Sequence, residues 1–320
     1  MEGGLGGVRA FTRFVRIAGR YVGPPLLYLG TWFVLPFLKK RRAGAKQFFF
    51  HWRGEQSGFF RTLLDTYRCF LAFTLCWYER TYVFLRGPAA LSLEIEGHTL
   101  VDEALAAGKG VVLLTAHFGN FELAAWMLRR FGSTPVNVVM VDSEVPAISA
   151  YMSQLRGADQ PRIIAINRSK LASLDLLSAL RRKEILCIQG DRAVGAALTR
   201  VPFLGREAPF PLGPYQLAQV AGAVVIPTFS TRVGSFRYRI NLYPPLDLHA
   251  TGIASPAHAY VRLLERNVLL NPLQWFNLFS FWDADHAPAG DAADEAAVLP
   301  LASPSRRLSG ATESAPPGLS

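Results

Sequence analysis

His117 and Glu122 stand five residues apart, where an apolar run turns into a helix, in GVVLLTAHFGNFELAAWMLRR from Gly110 to Arg130. A tight turn can fold such a carboxylate back onto one ring nitrogen and leave the other facing outward, which makes the imidazole a general base. The carboxylate fixes the tautomer and stabilises the imidazolium that forms as a hydroxyl loses its proton in attack. The same pattern also suits a packed histidine at a strand end, with Glu122 favoured in a first helical turn by the dipole alone. Asp191 and Arg192 follow a second apolar run, EILCIQG, just as His117 follows its own. By strand order both pairs border one cleft, where Arg192 suits a phosphate or a thioester carbonyl. An Asp-Arg pair bracing a loop would look the same.

The elements that must hold these groups alternate. VVLLTA, residues 111–116, is the short, partly β-branched run of a strand buried on both faces. Phe118-Gly119 is turn chemistry, Asn120 suits an N-cap, and FELAAWMLRRFG reads as a helix ended by Gly132. From Leu91 onward strands at 91–97, 111–116, 135–142, 162–167 and 184–191 alternate with helices at 100–107, 120–131, 145–156 and 170–182. That order predicts an α/β fold, a mostly parallel central sheet with helices on both faces. Ligands in such sheets bind at the carboxyl strand ends, where helix N–H groups favour negative charge. Residues 193–212 read as an apolar loop whose Phe203 and Phe210 suit the wall of an acyl-chain site, or simple packing on the sheet. A helix opens at Gly213-Pro214, VVIPTFSTR and FRYRINLYPPL form a hairpin, and a helix at 256–270 leads into PLQWFNLFSFW. Trp275, Phe276 and Trp282 are interfacial anchors or core. No G-x-G-x-x-G, Walker-type or G-x-S-x-G motif occurs, which leaves nucleotide binding and the usual hydrolase nucleophile without support.

HFGNFE resembles the H-x4-D/E motif of the lysophospholipid acyltransferase superfamily, in the form used by the lipid A late (lauroyl and myristoyl) acyltransferases. Gly190-Asp191-Arg192, the stretch from Val201 to Phe229 and NPLQWFNLFSFW agree in order and spacing, and the likeness runs over roughly residues 10–283. The W-F-N-x-x-x-F-W ending is similar to a branch of predicted acyltransferases in that superfamily. The resemblance implies His117 and Glu122 as the catalytic pair, with substrate contacts from Asn120, Asp191, Arg192 and an intervening arginine, Arg156 or Arg168. It implies a fatty acyl donor carried by acyl carrier protein or CoA, a lipid or glycolipid hydroxyl as acceptor, and a bacterial inner membrane location with the catalytic domain facing the cytoplasm.

Charge places the partner. The chain of 320 residues carries a net charge of +10, and residues 1–53 hold ten Lys or Arg against Glu2 alone, a net +9. Arg9, Arg13, Arg16 and Arg20 recur at helical spacing. YVGPPLLYLGTWFVLPFL, residues 21–38, is uncharged and closes on Lys39-Lys40-Arg41-Arg42. Basic clusters beside apolar segments attract anionic headgroups by about 1 kcal/mol per residue. Eighteen residues only just reach the ~17 to 25 that a spanning helix needs, so this stretch spans or lies in the interface. No nucleic-acid module appears. Residues 1–53 thus read as a membrane-anchoring segment, 54–283 as an acyltransferase domain opening with a helix at 57–86, and 284–320, rich in Ala, Pro, Gly and Ser, as a disordered tail. Cys69, Cys76 and Cys187 lie in apolar runs without metal or disulfide spacing, and the histidines are scattered, so neither a metal site nor a cofactor is expected. The alternatives to acyl carrier protein-dependent transfer are an acyl-CoA-dependent lysophospholipid acyltransferase and a non-catalytic lipid-binding protein.

Overall fold

The computed structural model describes residues 4–53, 58–123, 134–140, 146–156, 161–166, 172–192 and 197–282. Most of the helix expected after Asn120, the side chains of Arg156 and Arg168, and the tail from 284 fall outside the described residues.

The core element is β2, Val111–Thr115, in which all five residues are buried. A strand with no solvent-facing alternation has to be covered on both sides, and β2 is the middle of a seven-stranded sheet. Its neighbours are β5, Ile185–Gln189, and β8, Val224–Gly234, both parallel to it. Beyond β5 lie β3, Val136–Met140, and β4, Arg162–Ala165; beyond β8 lie β9, Arg237–Leu242, and β1, Ser92–Glu96. Within this sheet only the β8–β9 pair is antiparallel, so the expected mostly parallel α/β architecture is what forms.

Segment 193–212, expected as a loop, instead contains a two-stranded antiparallel ribbon, β6 at Leu198–Phe203 and β7 at Arg206–Pro211. The turn between them puts Leu204 at φ 52° and Gly205 at φ 78°. Two successive left-handed residues are what a tight hairpin requires, and a leucine in the first of them hides that signal in the sequence.

Three long helices precede the sheet. α1, Leu5–Val34, joins the basic stretch and the uncharged stretch into one element, bent at Gly19 with φ 63°. The rings of Pro24 and Pro25 exclude the carbonyls of Arg20 and Tyr21, so the ladder cannot run straight through that point. α2, Lys39–Arg53, and α3, Phe59–Arg86, follow. Within the segment 1–53, expected as an anchoring segment, the helices α1 and α2 also pack onto the elements behind them. Phe11, Val15 and Leu27 cluster with Leu71, Leu75 and Tyr78 of α3, and Phe48 and Phe49 join the main core beside Trp275. Among the described residues no single helix is long and apolar enough to cross a membrane. Leu5–Phe37 and Lys39–Arg53 together have the length and composition but are bent by 101°.

The other face of α1 is apolar and bare. Tyr21, Leu29, Trp32 and Phe33 are all more than half exposed, as are Phe37 in the turn that follows α1 and Phe59 and Phe60 at the start of α3. The remaining helices, α4 at Thr99–Ala106, α5 at Pro146–Arg156, α6 at Ala172–Arg181, α7 at Gly213–Ala221 and α8 at Pro256–Leu270, pack around the sheet. Trp275, Phe276 and Trp282 are buried, so the tryptophan-rich ending is core rather than an interfacial anchor.

Candidate active site

Adjacent parallel strands in register carry their next residues to the same edge. Thr115 of β2 pairs with Gln189 of β5, and two residues further on each strand stand His117 and Asp191. The Gly190 N–H donates to the Thr115 carbonyl at 2.8 Å, which keeps the two strand ends together past the ladder.

Asp191 is fully buried, and its carboxylate takes three hydrogen bonds. Oδ1 meets His117 Nδ1 at 2.8 Å. Oδ2 accepts the His117 backbone N–H at 2.9 Å and the Trp275 indole N–H at 3.0 Å. Burial pushes this carboxyl up, but the His117 charge, its two hydrogen bonds and the nearby Arg192 together outweigh burial and hold it below the ordinary carboxylate range. An ionised Asp191 needs a proton on Nδ1, which makes Nε2 the basic nitrogen of the ring. The arrangement can take a proton from a hydroxyl at Nε2 while the buried carboxylate stabilises the resulting imidazolium.

Glu122 does not occupy that place. Its carboxylate pairs with Arg80 of α3, whose guanidinium also lies 4.2 Å from the Trp77 ring. The expectation of a Glu122 carboxylate folded onto the imidazole is therefore corrected: the ring nitrogen is held by a residue 74 positions away, from the neighbouring strand.

The turn between them is built to one shape. Gly119 has φ 58°, and a Cβ there would meet the Ser230 carbonyl oxygen at 1.7 Å, so only glycine fits. The Gly119 N–H goes to the Gln274 carbonyl at 2.8 Å, so it is committed to the fold rather than open to an oxyanion. Asn120, expected to touch substrate, is occupied as a cap. Its Oδ1 accepts the Leu123 N–H, and its Nδ2 donates to the Cys76 carbonyl at 2.9 Å and the Tyr238 hydroxyl at 3.3 Å.

Behind Asn120 lies a buried polar network that the sequence reading did not foresee. Glu79 of α3 is fully buried and accepts from Arg232 through both Nε and Nη2, from the Phe236 N–H at 3.1 Å, and from the Tyr238 hydroxyl at 2.5 Å. Every carboxylate lone pair has a donor, which is the condition for burying a charge without a large penalty. This network ties α3 to β8 and β9 directly under the histidine turn. Its trace in the sequence is Glu79-Arg80, two charges interrupting the apolar run CWYERTYVFL.

Arg192 follows Asp191, with its guanidinium 5.1 Å from the Phe279 ring. Phe203 and Phe210 are completely buried, packed on each other and on Phe281. They form core beneath the site rather than an open acyl-chain wall. No group of three or more potential metal-ligating side chains exists among the described residues.

Phosphatidylinositol mannoside acyltransferase of Mycobacterium tuberculosis is 29% identical over 198 residues, 60% of each chain. The enzyme of that name from Mycolicibacterium smegmatis is 24% identical over 184 residues, 57% of this chain and 60% of that one. The chain thus spans about three fifths of the length of the curated relatives it matches. The crystal structure of the 1-acyl-sn-glycerophosphate acyltransferase of Thermotoga maritima is similar with a TM-score of 0.37 at 13% identity, over 79% of this chain and 98% of that one. The sequence profile of the family described as bacterial lipid A biosynthesis acyltransferase matches residues 9–283, nearly the whole of the described structure. The chain belongs to the bacterial lipid A biosynthesis acyltransferase family.

Proposed function

We propose that this protein transfers a fatty acyl group from a thioester donor to a hydroxyl of a membrane glycolipid, with His117 as the base and Asp191 as the group that orients it. The observation that carries this reading is the buried Asp191 carboxylate on His117 Nδ1, fixed by two further donors. Family membership supports acyl transfer, and the printed name of the mycobacterial relatives, phosphatidylinositol mannoside acyltransferase, supports a glycolipid acceptor. The acceptor oxygen attacks the thioester carbonyl carbon as its proton passes to Nε2. The tetrahedral oxyanion collapses, the carbon–sulfur bond breaks, and the leaving thiolate takes the proton back. Arg192 is the cation closest in sequence to this event and suits either the developing negative charge or a phosphate on the donor. Glu122 has a separate role, holding Arg80 beside the turn.

Among the described residues neither candidate for a covalent nucleophile stands ready. Cys187 lies within β5, and burial pushes its thiol up to about 12, so it carries no thiolate at neutral pH. Thr115 is buried, with its hydroxyl turned to the Ala116 carbonyl. Transfer is accordingly direct, within a ternary complex. Incubating the purified full-length protein with an acyl thioester of acyl carrier protein, or of CoA, and a mannosylated phosphatidylinositol tests this. The expected result is an acylated glycolipid, and intact-mass spectrometry without acceptor shows unmodified protein. A covalent acyl adduct that discharges onto acceptor would overturn direct transfer, and absence of product with both donors would overturn the activity. The donor that supports faster turnover identifies the carrier, with acyl carrier protein expected from the family.

We also infer that the protein lies on the cytoplasmic face of the inner membrane through the bare apolar side of α1 and the turn after it, with Tyr21, Leu29, Trp32, Phe33 and Phe37 in the acyl-chain boundary and the basic residues of α1 and α2 at the headgroups. Apolar insertion is not screened by salt, whereas purely electrostatic attachment weakens when about 1 M salt shortens the Debye length to ~3 Å. The full-length protein should therefore remain with anionic vesicles in flotation at that salt. Complete release would refute insertion.

A further inference from the structure

The segment after α8 touches both members of the catalytic pair. Trp275 donates its indole N–H to Asp191, and the Phe276 backbone N–H donates to the His117 carbonyl at 2.7 Å. The Leu278 N–H then turns back to the Phe276 carbonyl at 3.1 Å, which sets Asn277 at the apex of a three-residue turn, one residue from the His117 contact. α2 backs this turn closely: a Cβ on Gly44 would meet the Phe279 backbone nitrogen at 2.3 Å.

Asn277 is 2% exposed, and neither end of its carboxamide has a hydrogen-bond partner. Among the described residues it is the one buried side chain with two polar atoms in that condition. Gln274, on the same segment, shows the usual state of a shielded amide, since its Oε1 accepts the Arg232 N–H and its Nε2 donates to the Arg232 carbonyl. Buried polar groups are nearly always paired, and an orphaned one is expected where a ligand or a bound water supplies the missing partner. Leucine would fill nearly the same volume without any unpaired group. A protein gains nothing in stability from asparagine here.

We propose that Asn277 is an acceptor-binding residue, whose amide receives two neighbouring hydroxyls of a polyol or sugar beside the hydroxyl that is acylated. The chemistry favours this class over others. A carboxamide offers one donor face and one acceptor face side by side, and a vicinal diol answers both, accepting from Nδ2 and donating to Oδ1. A phosphate or an oxyanion could use only Nδ2 and would leave Oδ1 unpaired. The inference rests on the acyl-transfer reading and deepens it, by assigning the group that distinguishes a glycosylated acceptor from a simple alcohol.

The test compares wild type with Asn277→Leu on two acceptors, an alkyl glycoside and a straight-chain fatty alcohol with a single hydroxyl. With the glycoside, kcat/KM falls about 10- to 100-fold in Asn277→Leu, because a site built to pair substrate hydroxyls loses its discrimination with them. With the fatty alcohol the two proteins are equal, and the melting temperature of the variant is unchanged or raised. A merely structural asparagine would give an equal change on both acceptors, and a water-filled one would give no change on either; each result overturns the proposal. If wild type acylates neither compound, the functional reading fails on its own. The proposal is then decided by thermal shift: the glycoside, and not the fatty alcohol, should raise the wild-type melting temperature and leave Asn277→Leu unmoved, and equal shifts in the two proteins would refute it.

Discussion

His117→Ala reduces acyl transfer about 10²- to 10⁴-fold, the range typical of removing a positioned general base. The acceptor hydroxyl is a poor nucleophile until its proton leaves, and among the described residues the other two carboxylates at this edge are already engaged, Glu122 with Arg80 and Asp191 with the imidazole. The fold survives the change. Alanine keeps the backbone N–H that donates to Asp191 Oδ2, and Trp275 keeps its own bond to the same oxygen. What is lost is the partner of Oδ1 in a fully buried carboxylate, a cost of about 1 to 3 kcal/mol. Thermal unfolding should therefore show a modest drop in melting temperature with one cooperative transition, while a radiolabelled acyl thioester reports the much larger fall in transfer. Turnover near wild type in a folded His117→Ala protein would sink the site.

Asp191→Asn should be as damaging, for a reason that the geometry makes specific. Oδ2 is held by two N–H donors, from the His117 backbone and from Trp275, so an asparagine must place its carbonyl oxygen there. Its NH2 group then faces His117 Nδ1 at the position of Oδ1. An amide N–H pointing at Nδ1 forces that nitrogen to accept, which moves the ring proton to Nε2, and the ring loses its basic face toward the substrate. A tautomer reversal of this kind lowers transfer on the order of 10⁴-fold in the best-studied Asp-His systems. Stability changes little, because all three hydrogen bonds are replaced. Nitrogen NMR of the imidazole distinguishes the two tautomers directly, with Nδ1 protonated in wild type and Nε2 protonated in Asp191→Asn.

The sequence carried the alternation of strands and helices well, because β2 and β5 are unbroken apolar runs and the turns at their ends are marked by Gly119 and Gly190. It also placed His117 and Asp191 at equivalent strand ends. What it could not carry was neighbourhood. β5 lies against β2 although β3 and β4 come between them in the chain, so the carboxylate that reaches the imidazole comes from 74 residues away while Glu122 stands five residues off. Local spacing favoured Glu122 because nothing in a linear pattern shows that Arg80, on α3, takes that carboxylate instead. The β6–β7 ribbon was hidden by Leu204, a branched residue in a left-handed conformation that usually signals glycine. Tertiary packing also decided α1. Eighteen uncharged residues suggested a span or an interfacial stretch, and the structure joins them to the basic helix before them, with one side against α3 and the other bare.

The most direct test sets Asp191→Asn against Glu122→Gln in one preparation of purified full-length protein, measuring the initial rate of transfer from an acyl thioester to a glycolipid. Glutamine at 122 still accepts from Arg80 and leaves the imidazole and its carboxylate untouched, so its loss should stay within about tenfold, whereas Asp191→Asn should lose on the order of 10² or more. The reverse order, with Glu122→Gln the slower enzyme and Asp191→Asn close to wild type, would contradict the assignment of Asp191 as the residue that makes His117 a base.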